Sequence, residues 1–66
     1  MLSKLTPREI EVLGLIVLGY SNPKIAKALH ITSFTVKAHV QSILYKLHVK
    51  NRIQAAVLAS GYFPTH

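Results

Sequence analysis

Between Ser33 and His48 the chain sets Phe34, Ala38, Gln41 and Tyr45 at spacings of three and four, which places them on one stripe of a helix. Lys37 and His48 follow one edge of that stripe; Thr35, His39, Ser42 and Lys46 follow the other. A cation, an amide, a small residue and aromatics together form the vocabulary that reads base edges and phosphates. The same chain is poor material for catalysis. Its only acids, Glu9 and Glu11, lie within one helical turn, so they supply no Ser-His-acid set and no pair of inward-facing carboxylates. No glycine-rich phosphate loop is present either, and no enzyme is expected. Metal chemistry lacks parts as well. There is no cysteine, and His30, His39, His48 and His66 show no His-x-x-x-His spacing, so neither a metal nor another cofactor is expected.

Four helices must position the stripe. The first begins at Thr6, where Thr6-Pro7-x-Glu9 reads as a capping box with proline at the first helical position. Leu5 and Ile10 are placed as a hydrophobic staple, Ile10, Leu13, Ile16 and Val17 recur at helical spacing, and Gly19 is the natural stop. The second helix starts after Ser21, tolerates Pro23 in its first turn, and buries Ile25, Ala26 and Leu29. His30 then occupies a turn position that favours positive φ, where histidine is about 1 kcal/mol worse than glycine. The third runs from a Thr32 cap to Leu47 or His48 and buries Val36, Val40, Ile43, Leu44 and Leu47 opposite the polar stripe. Helices two and three with their tight turn form a helix-turn-helix, a motif that lays its second helix in the DNA major groove. The fourth is capped by Asn51 and ends at Gly61. It is apolar on nearly every side, so part of it must be buried on helices one and three or held against another protein. Residues 62–66 carry no regular pattern. The fold class is therefore all-α, one domain over residues 1–66.

Charge agrees with that reading. Eight Lys and Arg against two acids give +6, and everything from Tyr20 onward is purely cationic, which favours a polyanionic partner. Half of the 66 residues are hydrophobic, enough for one compact core without disulfides. The apolar run from Val12 to Leu18 is far shorter than the ~20 residues that span a bilayer. The N-terminus lacks a signal-peptide pattern. The cations are scattered rather than aligned along one amphipathic helix, so no membrane partner is expected and a cytoplasmic setting is.

The ordered set Leu5-Thr6-Pro7-Arg8-Glu9, Val12-Leu13, Gly19, Ser21-Asn22, Ile25-Ala26, Leu29-x-Ile31-Thr32, Thr35-Val36-Lys37-x-His39-Val40, Ile43-Leu44-x-Lys46-Leu47-x-Val49 and Asn51-Arg52-x-Gln54-Ala55-Ala56 resembles the DNA-binding domain of LuxR-type (NarL/FixJ, GerE-like) bacterial transcription regulators. The resemblance covers residues 5 to 60. It implies a four-helix domain that binds double-stranded DNA through helix three, about residues 33–48, and forms a homodimer through helix four. Such a domain usually stands behind a phosphorylatable receiver or a ligand-binding domain. This chain thus resembles an isolated output domain or a short stand-alone regulator. Carried over by position, Lys37, Ala38 and Gln41 match base-contacting sites, and Thr32, Ser33, Thr35 and His39 match phosphate contacts. Lys24, Lys46 and Arg52 are flanking phosphate candidates, and Ala56, Val57 and Ser60 are the implied dimer contact.

The chain departs from the family pattern in three places. Pro23-Lys24 replaces a basic residue followed by Glu, His30 replaces a common glycine, and Phe34 is unusually large and apolar, suited to a sugar, a thymine methyl or an interface. The competing readings are structural. Lys46 is equally a plain surface charge, and Arg52 equally the partner of Glu9 or Glu11. A helical module contacting RNA polymerase or a partner regulator through Tyr20, Phe34 or helix four is the alternative function.

Overall fold

The computed structural model describes residues 2–63 and consists of four α-helices and two 3-10 turns, with no strand among the described residues. Helix α1 spans Pro7–Val17, α2 Asn22–Leu29, α3 Ser33–Leu47 and α4 Arg52–Ala59; the 3-10 turns are Leu2–Lys4 and Ser60–Tyr62. The all-α class expected from the pattern is the class observed.

Each helix starts where a side chain replaces a missing backbone partner. Thr6 Oγ1 accepts from the Glu9 amide at 3.1 Å while the Glu9 carboxylate accepts from the Thr6 amide at 2.9 Å, closing the capping box of α1. Ser21 caps α2 through the Lys24 amide, Thr32 caps α3 through the Thr35 amide, and Asn51 caps α4 through the Gln54 amide. Gln54 answers by accepting from the Lys50 amide at 2.8 Å.

The first three helices end in left-handed turns. Gly19 has φ 88° and lets Tyr20 N–H reach the Leu15 carbonyl at 3.0 Å. His30 and His48 take the same role for α2 and α3, both with φ 58°, and Ile31 and Val49 close the ladders onto Ala26 and Leu44. Positive φ at His30 follows from the short turn; at His48 nothing in the local sequence announced it. Helix α4 stops at Ala59, two residues before the expected Gly61, and tightens into the Ser60–Tyr62 turn. Phe63 then lies over α1, so close that a β-carbon on Gly14 would stand 3.1 Å from its ring. Residues 64–66 of the irregular tail lie outside the described residues.

Helix α1 packs on α3 and α4, and α2 packs on α3. Val12, Leu13, Ile25, Val36, Ile43, Ala55 and Ala59 are fully buried, joined by Ile16, Ala26, Val40 and Leu47. Leu44 and Leu29, expected in the core, are half-buried at its margin. One turn separates α2 from α3, and α3 lies in the middle of the fold with a single face left to solvent.

The two left-handed histidines give a stability test. His30→Gly and His48→Gly should each raise the unfolding free energy by about 0.5–1 kcal/mol, seen as a higher urea midpoint at unchanged m-value.

Candidate nucleic-acid interface

The orientation of α3 is set from α1. The Glu9 side chain is buried, and its carboxylate accepts from Ser42 Oγ at 2.7 Å on Oε2 and from Lys46 Nζ at 2.8 Å on Oε1. Oε1 also takes the Thr6 amide of its own capping box. Burial alone would raise the Glu9 pKa, but the hydrogen bonds from Lys46, Ser42 and Thr6, with the Lys46 charge, outweigh it and hold the group at about 2. Ser42 and Lys46 stand one turn apart on α3, so two anchoring points fix its rotation about its own axis.

With that edge held against α1, the stripe beside it is open. Phe34 and Tyr45 are 82% and 83% exposed, and Lys37, Ala38 and Gln41 lie exposed between them. Thr32 and Ser33 are exposed at the start of α3, and Thr35 and His39 are half-buried along its flank. Thr32 Oγ1 donates to Thr35 Oγ1 at 3.0 Å, holding both hydroxyls at the positive end of the helix. Lys24 is exposed at the start of α2, its ammonium 4.2 Å from the centre of the Tyr20 ring. The structure thus gathers Thr32, Ser33, Lys37, Ala38 and Gln41 on the outward side of one helix.

Comparison with known proteins agrees with this geometry. The family model described as "Bacterial regulatory proteins, luxR family" matches residues 3–59. The chain belongs to the luxR family. Similar proteins include the response regulator protein VraR of Staphylococcus aureus, of Staphylococcus saprophyticus and of Staphylococcus epidermidis. Each is 58% identical over 55 residues, which cover 83% of this chain and 26% of the relative. The chain therefore spans about a quarter of the length of these relatives. As a luxR-family helix-turn-helix it is a DNA-binding domain of a bacterial transcription regulator, a class that is not enzymatic. No described helix is long and apolar enough to cross a membrane.

Two candidate phosphate contacts of this luxR-family domain are engaged inside the fold. Lys46 is not a plain surface charge: it is the partner of Glu9, its side chain 28% exposed. Arg52 bonds neither acid. Its Nη1 donates to Asn22 Oδ1 and its Nη2 to the Tyr20 carbonyl at 2.8 Å, joining the start of α4 to the turn before α2. The physical reason is that Glu9 is already filled by Lys46 and Ser42, while Glu11 pairs with Arg8 at 3.4 Å on the surface. The sequence signal for the Glu9 link was the co-alignment of Ser42 and Lys46 on one edge of helix three. Asn22 and the Tyr20 carbonyl left no such trace, because an amide and a backbone oxygen are invisible to charge pairing. On α4, Val57 is 72% exposed, Ser60 is exposed with its hydroxyl on the Val57 carbonyl, and Ala56 is half-buried.

Glu9 gives a pH test. A carboxyl at about 2 when folded and near 4.5 when unfolded adds stability that is complete above pH 4.5 and is lost as pH falls towards 2. The loss should be about 3 kcal/mol across that window. In Glu9→Gln, urea titrations at stepwise pH should show a lower neutral-pH stability and a flattened acid limb.

Proposed function

We propose that this domain reads a specific duplex sequence by laying α3 in the major groove, as the output domain of a response regulator. The single observation that carries the reading is the exposed, acid-free face of α3 that presents Lys37, Ala38 and Gln41. Lys37 suits guanine O6 and N7, Gln41 suits adenine N6 and N7, and Ala38 suits a thymine methyl. Thr32, Ser33, Thr35, His39 and Lys24 serve the phosphates, helped by the unpaired amides at the start of α3. Lys46 and Arg52 act on DNA chiefly by holding α3 and the α1–α2 turn in place.

Two copies joined through α4 would meet half-sites about one helical turn apart, as inverted or direct repeats. The exposed Ile53 and Val57, each 72% accessible, support that contact. The response-regulator role draws on the similarity to VraR, whose name states it. A cytoplasmic location follows from a DNA partner.

Selection from random duplex DNA tests the reading, with wild type and the Lys37→Ala/Gln41→Ala double variant in parallel. Wild type should enrich a short motif that the double variant blurs, with Lys37→Ala relaxing one base pair by about 1–3 kcal/mol. With ~4 to 6 phosphates neutralised, the log–log salt slope should be about −4 to −5. No enrichment at low salt by folded protein would transfer the function to a protein contact with polymerase or a partner regulator. Val57→Asp should abolish dimers in sedimentation while the monomer keeps its helical circular dichroism, since that side chain is outside the core.

A further inference from the structure

We infer that Phe34 is a specificity-determining side chain that reads the C5-methyl group of a thymine, forming with Ala38 an apolar patch at the leading end of α3. The inference rests on the DNA-binding reading above and adds to it a reader, Phe34, that it leaves without a role.

Phe34 lies outside the core. It is the second residue of α3, 82% exposed, and lies on the side of the helix away from buried Val36 and Val40. A phenyl ring has no hydrogen-bonding group, so it cannot tell donors from acceptors on a base edge. In the major groove the apolar feature available to it is the thymine methyl. Position along the helix selects Phe34 over the equally exposed Tyr45. The N-terminal residues of a helix-turn-helix recognition helix meet the base edges, whereas Tyr45 stands eleven residues further on, about 16 Å along the axis.

The neighbours suit the same target. Ala38 is exposed one turn on from Phe34 and on the same stripe, so the two make a continuous apolar strip. Lys37 and Gln41 flank that strip with polar readers, and no carboxylate lies on this face to repel the duplex: Glu9 is buried and Glu11 is on α1 with Arg8. The expected half-site therefore places a thymine beside the bases read by Lys37 and Gln41.

The experiment uses the duplex enriched by the wild-type chain and replaces each of its thymines in turn by deoxyuridine, which removes only the methyl. Wild type should lose about fourfold in affinity at one thymine per half-site, the effect of one buried methyl. Phe34→Ser should bind the parent duplex more weakly and show no thymine–uracil difference at that position. Lys37→Ala should keep the difference. Placing 5-methylcytosine paired with guanine at that position should bind wild type more tightly than unmethylated cytosine, and should not do so for Phe34→Ser. A uracil scan that is flat in wild type, or identical in wild type and Phe34→Ser, overturns the inference while leaving sequence-specific binding intact. A difference lost in Ala38→Ser but kept in Phe34→Ser overturns it in favour of Ala38. Failure of wild type to enrich any duplex removes both the inference and the reading beneath it.

Discussion

The Glu9 carboxylate is the constraint on which the DNA-facing half of the molecule depends. It closes the first turn of α1 through Thr6, and it holds α3 through Ser42 and Lys46. Burying a charge costs several kcal/mol unless hydrogen bonds and an opposite charge compensate it. Here both oxygens are filled, and the depressed pKa shows that the compensation exceeds the penalty. Apolar contacts alone leave a helix some freedom to roll, because Val36, Val40, Ile43 and Leu47 resist separation more than rotation. Directional bonds at residues 42 and 46 remove that freedom. The outward direction of Lys37, Ala38 and Gln41 therefore rests on the apolar face behind them and on an interaction along the edge beside them.

A second set of polar links places α2. Arg52 reaches from α4 to Asn22 and the Tyr20 carbonyl, so the loop that launches α2 is tied to the C-terminal part of the chain. His30 sets the angle between α2 and α3 by holding φ at 58°, a conformation that an L side chain resists. Strain at that turn is sustained by the Ile31 to Ala26 bond and by the burial of Ile25 and Ala26 on α3. Thus Lys46 and Arg52, both engaged in bonds inside the fold, help to shape the surface proposed to meet DNA.

Much of this was legible in the sequence because it is local. Thr6, Ser21, Thr32 and Asn51 each announce a helix start by residue type, Thr6 also through Glu9 three positions on, and the period of apolar residues in α1 and α3 gives their buried sides. The stripe of Phe34, Ala38, Gln41 and Tyr45 followed from the same period, and its exposure is what the structure shows. What could not be read is what joins residues far apart. Glu9 and Lys46 are separated by 37 positions, Arg52 and Tyr20 by 32, and no periodicity links such pairs. Arg52 illustrates the limit: charge logic offered two carboxylates, whereas geometry supplied an amide and a carbonyl. His48 illustrates another, since a left-handed cap built on histidine carries no compositional mark.

The four most exposed large apolar side chains divide into two kinds that suit two different surfaces. On α3 they are the aromatic Phe34 and Tyr45, set among Lys37, Gln41 and hydroxyls; on α4 they are the aliphatic Ile53 and Val57. A chain of this size cannot bury all of a half-hydrophobic composition, so some apolar exposure is unavoidable. Its distribution is not forced. Aliphatic groups favour close contact with a similar surface, whereas rings and amides among cations favour a polyanion with stacked, methyl-bearing edges. Because α3 and α4 pack on each other and both pack on α1, the two surfaces share one small core. Arg52 adds a polar tie between the start of α4 and the turn before α2.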